Sequence, residues 1–195
     1  MTPIADSRVR ILIGIGLAAL MAATRGQQFA PLAHHLPDAS LAVFFLAGFY
    51  LRSLWVFPAL FGLATLIDLT ATGWGGVSSY CMTPAYWMLV PAYGMVWGLG
   101  RWSAGRFELT RAQAPALLGV LLVAGVGAEV FASGGFYLFS GYFNEPSVSE
   151  LLGRFVTYLP ATLLHLLLYV GLVALAHLGL QRVLPTTRAT GASGE

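Results

Sequence analysis

The sequence predicts an all-α integral membrane protein, a bundle of six transmembrane helices, and three observations lead there. Of its 195 residues, 57% are hydrophobic and only 9% charged, whereas a water-soluble domain carries roughly 25% charged residues to face solvent. Mean hydropathy is +0.76. The apolar residues fall in continuous blocks rather than in the ten-residue alternation of a membrane β-barrel. Backbone polar groups in lipid must be satisfied within their own segment, so blocks of this kind have to be helices.

The blocks lie at about 9–24, 39–51, 54–72, 85–100, 114–133 and 151–180, separated by charges, Gly or Pro. The first follows Arg8 and Arg10, as the core of a signal peptide would, but it ends Leu20-Met21-Ala22-Ala23. Cleavage wants small residues at −3 and −1, and Leu20 or Met21 occupies −3, so a retained helix is expected. The second and third blocks form one run broken only at Arg52-Ser53. That run is too long for one span of about 20 residues and short for two; two helices joined by a tight turn at Arg52 are expected.

The fourth block places Tyr86, Val90, Tyr93 and Trp97 along one helical face. Tyr86 can line a cavity at its outer end, while Tyr93 and Trp97 read as packing and interface anchoring. Beyond the fifth block, the glycine- and aromatic-rich stretch 133–144 reads as an outer loop. It is either a lid over a large, partly apolar ligand or a segment lying on the membrane. In the sixth block, His165 and His177 are twelve positions apart, too far to grip one haem, and read as polar core residues. Residues 1–184 are expected to form a single transmembrane domain, with 185–195 a disordered cytoplasmic tail.

Six helices with a cytoplasmic N-terminus put Arg8, Arg10, Arg52, Arg101, Arg106, Arg111, Arg182 and Arg188 inside and only Arg25 and Arg154 outside. This is the bias of the positive-inside rule. The tryptophans fall near the same inferred interfaces, Trp74 and Trp87 outside, Trp55, Trp97 and Trp102 inside.

Several function classes are excluded. A net charge of +2 is too small to point to nucleic acid. There is no lysine, hence no phosphate-binding loop of the Gly-Lys-Ser/Thr kind, and no nucleotide is expected on this chain. His-Glu-x-x-His and Gly-x-Ser-x-Gly are also absent. A single cysteine, Cys81, rules out an intrachain disulfide and a multi-thiolate metal site.

The candidate functional residues gather toward the expected outer side. Asp68 sits four positions before Thr72, about 6 Å below the interface at 1.5 Å per residue. A carboxylate at that depth normally faces the bundle interior or a wet cavity. Ala64, Thr65, Ala71 and Thr72 would give it a small, hydroxylic face; the alternative is a helix-end residue reaching water. Cys81 lies in an uncharged Gly/Ser loop, 73–84. A thiolate is a soft ligand for late transition metals, although a lone cysteine also serves as a small buried hydrophobe. The first outer loop adds Arg25, Gln27, Gln28, His34, His35 and Asp38.

Six short helices, an inside N-terminus and ligand loops outside resemble the substrate-binding S-components of energy-coupling factor (ECF) vitamin transporters. Within that group, the lone loop cysteine resembles the BtuM-type cobalamin transporters, on Asp68, Cys81, Tyr86 and Thr24-Arg25-Gly26. The resemblance implies cobalamin as cargo, taken up across a bacterial inner membrane from a cavity open to the periplasm. Cys81 would be the axial ligand to cobalt and the reactive residue in exchange of the upper ligand, cyanide or water. Asp68, Tyr86, Arg25 and Gln28 would surround the corrin. The family pattern includes a polar residue, typically His, in the first outer loop; here Gln27 and Gln28 follow Arg25-Gly26, and His34 and His35 come later. S-components also dock small residues of the first helix on a coupling subunit; Ala18 and Ala22, or Ala19 and Ala23, have that spacing. Packing within the bundle uses the same residues equally well. Three other readings stay open: a transporter of this build for another vitamin or metal chelate, an intramembrane enzyme with Cys81 as nucleophile, and a structural subunit of a larger membrane complex that binds no ligand.

Overall fold

The computed structural model describes residues 7–25, 36–51, 53–73, 82–107, 110–145 and 147–183. Gln27, Gln28, His34, His35, Arg52, Trp74, Cys81 and the tail 185–195 lie outside the described residues. Among those described, all regular structure is helical. Four segments are long and apolar enough to cross a membrane, Ser7–Arg25, Val56–Gly73, Ala114–Phe139 and Val148–Gly179, as a multi-pass membrane protein requires.

Helix α1 (Ser7–Arg25) buries only Leu17, Met21 and Thr24, one stripe at the i, i+4, i+7 spacing. Val9, Ile11, Leu12 and Ile15 remain exposed, as do Ala19, Ala22 and Ala23, while Ala18 is half-buried. Helix α2 (Ser40–Tyr50) is the opposite case. Nine of its 11 residues are buried, because α1 and the helices Val56–Gly73, Leu89–Ala104 and Val148–Val183 all pack on it. A helix apolar all round is stable only inside other protein or lipid. At about 16 Å it reaches only half of a 30 Å hydrocarbon layer, so the six apolar blocks correspond to helical segments of unequal length.

Helix α3 (Val56–Gly73) is separate from α2. Leu51 is extended, with φ −109° and ψ 121°. Pro58 explains the restart, since its missing N–H and its ring are tolerated only in a helix's first turn. Pro84 opens a 3-10 turn, Pro84–Met88, that runs into α4 (Leu89–Ala104); Pro91 again falls in the first α-turn. Helices α2 and α4 meet at two glycines. A Cβ on Gly48 would lie 2.1 Å from the Trp97 carbonyl oxygen, and one on Gly100 2.1 Å from that of Phe45. Only hydrogen fits at either contact.

Helix α5 (Ala114–Glu129) passes through a π-helical turn, Val130–Gly134, into α6 (Gly135–Phe139). The expected outer loop therefore begins at Ser140 rather than Ser133. Gly135 packs on Met88, which a Cβ would meet at 2.3 Å, so the Gly-Gly pair that reads as a loop permits close helix packing instead. The last helix, α7 (Val148–Val183), runs 36 residues through Pro160. Its start is capped by Ser147, whose hydroxyl accepts from the Glu150 N–H at 3.2 Å, in the Ser-x-x-Glu pattern of a capping box.

The outward surface of this bundle is apolar along α3, α5 and α7: Leu66, Leu69, Leu122, Val126, Leu164 and Leu172 are all exposed. An apolar surface that large marks contact with lipid or other protein. Trp55 and Trp87, respectively 81% and 67% exposed, stand at helix starts where an amphipathic ring suits a membrane interface.

Candidate functional site

The end of the bundle where α1 and α3 finish and α4 and α7 begin holds an open cavity of about 440 Å³. Its walls carry Arg25, Asp38, Asp68, Tyr86, Tyr93 and Arg154, a concentration of polar groups within an otherwise apolar bundle. Ligand cavities commonly have such volumes, with few polar groups placed among apolar ones.

Arg25 organises one wall. Its Nε and Nη2 each donate to Asp68, to Oδ1 and Oδ2 at 2.6 Å, in the paired geometry that makes Arg–carboxylate contacts strong. Its Nη1 donates to the Tyr93 hydroxyl at 2.8 Å and to the Ser40 hydroxyl at 3.0 Å. Asp38 adds a second carboxylate 3.6 Å away. The side chains of Arg25 and Asp68 are only 10% and 15% exposed. Tyr86 completes the cluster by donating to Asp68 Oδ2 at 2.9 Å, with Thr65 Oγ1 at 3.3 Å.

Local structure sets this geometry. Asp38 Oδ1 accepts from the Ser40 N–H at 3.0 Å and hydroxyl at 2.7 Å, which ties the carboxylate to the start of α2. The Ala39 N–H donates to Thr24 at 3.2 Å, and Tyr169 of α7 donates to the Pro37 carbonyl at 2.7 Å. The segment before α2 is thus clamped between α1 and α7. On α3, Ala64 and Ala71 are buried, so the small face that carries Asp68 does turn inward.

The structure therefore brings together four of the candidate residues, Arg25, Asp38, Asp68 and Tyr86, and adds Tyr93 and Ser40. Tyr93, expected to serve packing, is buried and bonded to Arg25 while its ring stacks on Phe44 at 4.5 Å. Its position seven residues, two turns, after Tyr86 puts it on the same helical face, a pattern that fits packing equally well. Cys81 and Gln28 lie outside the described residues. Neither His165 nor His177 lines this cavity.

Two further groups at the site are not among the candidates read from the sequence. Arg154 lines the cavity with its guanidinium carbon 5.8, 5.1 and 5.4 Å from the ring centroids of Phe136, Phe143 and Tyr158. Glu129 is 5% exposed, accepting from Thr162 of α7 at 2.7 Å and from Ser133 of the π-helical turn. A lone carboxylate inside an apolar spanning segment is itself the signal for such a residue. Here it joins α5 to α7 and, through Ser133, adjoins the cavity wall. Glu129→Ala is expected to leave both hydroxyls without that partner and to lower stability by roughly 1–3 kcal/mol, read as a lower midpoint in detergent denaturation.

Among the described residues no group of three or more His, Cys, Asp or Glu side chains is placed to hold a metal ion. No family model matches the sequence, and no curated protein matches it.

Proposed function

We propose that this chain is a bacterial inner-membrane protein that binds cobalamin in the outer cavity and takes it up. Its fold is then a six-span bundle of the S-component kind, with both termini cytoplasmic. The observation that carries the reading is the convergence of Arg25, Asp68 and Tyr86 on one cavity wall, with Tyr86 only five residues along the chain from Cys81. The arginine distribution supports the orientation, since the cavity lies at the end that holds Arg25 and Arg154 and the opposite end holds Arg8, Arg101 and Arg106. A corrinoid is larger than 440 Å³ and would project from the mouth.

In this reading the cavity wall holds the ligand and the Cys81 thiolate binds cobalt, a soft ligand on a late transition metal. With cyanocobalamin, the bond from cobalt to cyanide breaks and a cobalt–sulfur bond forms. Cyanide leaves with the thiol proton as hydrogen cyanide, and cobalt remains trivalent. Coupling the sulfur's proton loss to metal binding is the usual linkage for thiolate ligands. The exposed α1 face bearing Ala19, Ala22 and Ala23, with Ala18 beside it, is the proposed contact for a membrane-embedded coupling subunit.

Absorbance spectra of cyanocobalamin with the wild type and with Cys81→Ser provide the test. The wild type is expected to shift the visible bands as sulfur replaces cyanide, and Cys81→Ser to leave them as in free vitamin. Identical spectra from the two proteins would remove the thiolate from the proposal. A protein purified from corrinoid-fed cells without red colour would count against the cargo.

A further inference from the structure

Two guanidinium groups border the cavity, and their surroundings differ. Arg25 is committed: Asp68, Asp38, Ser40 and Tyr93 satisfy it. Arg154 has no carboxylate within salt-bridge distance among the described residues, and its buried Nε has no hydrogen-bond partner. Glu150, one turn earlier on α7 and so placed for a helical ion pair, accepts from Tyr137 at 2.8 Å instead. Phe136, Phe143 and Tyr158 hold the guanidinium among aromatic rings. Such rings stabilise the cation without neutralising it, and they leave its planar fork of donors unused.

We propose that Arg154 is an anion-binding residue of the cavity, which docks a phosphate or carboxylate group of the ligand inside the Phe136, Phe143 and Tyr158 box. A guanidinium is the side chain suited to this task. It is weakly hydrated, stacks on rings, and presents paired donors that match two oxygens of one anionic group. With cobalamin as cargo, the group is the phosphodiester that links the nucleotide to the corrin. That assignment rests on the function proposed above; the anion site does not.

The full-length protein in a phosphate-free maltoside detergent, where no lipid headgroup supplies the anion, provides the first test. Thermal midpoints are compared in chloride and in inorganic phosphate at constant ionic strength. Phosphate stabilises folded proteins generally, so the quantity read is the excess over that general gain, with Arg8→Gln, a variant of an exposed arginine on α1, as the control for loss of a charge. Wild type and Arg8→Gln are expected to gain several degrees together, and Arg154→Gln clearly less. An equal gain in Arg154→Gln overturns the anion site. If Arg154→Gln does not fold, Arg154→Lys, which keeps the charge and loses the paired donors, is expected to show at most half the wild-type gain; an unchanged gain overturns it equally.

The second test compares cobalamin with cobinamide, a corrinoid that lacks the phosphodiester-linked nucleotide. Arg154→Gln is expected to weaken cobalamin binding by about tenfold or more, the usual worth of a charged hydrogen bond, and to leave cobinamide within about twofold. Equal losses for both corrinoids overturn the phosphodiester assignment. A wild type that responds to phosphate but binds neither corrinoid retains the anion site and removes the cargo.

Discussion

Replacing Arg25 by alanine is expected to lower stability by about 3–5 kcal/mol, the cost of leaving one member of a buried ion pair without its partner. The substitution strands Asp68 at 15% exposure and removes a donor from Tyr93 and Ser40. Much of that loss comes from the uncompensated carboxylate rather than from the bonds themselves. The double variant Arg25→Gln, Asp68→Asn should therefore be more stable than Arg25→Ala alone, although it lacks the ion pair altogether. Equilibrium denaturation in detergent micelles is the measurement. A double variant less stable than the single one would show that the stranded carboxylate is not what makes Arg25→Ala costly. Tyr86→Phe removes one bond to Asp68 and should cost about 1.5–3 kcal/mol at most. The ranking of the three variants thus separates charge from hydrogen bonding.

The second large effect is expected where α2 meets α4. Gly48→Ala and Gly100→Ala each place a methyl group 2.1 Å from a backbone carbonyl oxygen. Backbone cannot rotate aside as a side chain can. The two helices would have to part by about 1 Å, in a core where overpacking costs typically 1–3 kcal/mol and sometimes more. Parting them also disturbs the Phe44–Tyr93 stack and hence the hydroxyl that meets Arg25. Each variant should lose about 3 kcal/mol or more, together with ligand affinity. Gly127→Ala is the informative contrast, because the atoms it would meet belong to the flexible Met95 side chain. Methionine repacks readily, and alanine gains up to about 1 kcal/mol of helix propensity, so that variant should stay near wild-type stability. Equal losses at Gly48, Gly100 and Gly127 would mean that the helices yield more easily than their backbone contact implies.

The helical character of the chain is legible in its amino-acid order alone. Charge scarcity and unbroken apolar blocks follow from lipid as solvent, and lipid leaves the backbone few solutions. Asp68 is legible for the same reason: a carboxylate on a face of Ala and Thr has to point away from hydrocarbon. The partners of these groups are not legible. Arg25 lies 43 positions from Asp68 and 68 from Tyr93, and no local period records which helix comes to lie beside which. Tyr93 carries the same pattern whether it only packs or also accepts a hydrogen bond. The pair Gly134-Gly135 reads as a loop because glycine favours one in isolation; packing against Met88 makes it part of a helix.

By itself, then, the sequence determined the helical class of this protein, the presence of apolar segments long enough to cross a membrane, and that Asp68 would avoid hydrocarbon. All of these follow from interactions between each residue and its solvent. Tertiary structure alone decided that α2 would be enclosed by its neighbours, that Arg25 would be paired with Asp68 while Arg154 would have no carboxylate beside it among the described residues, and that Glu129 would join α5 to α7. Those outcomes depend on distances between segments remote in the chain, and only the packing of whole helices sets such distances.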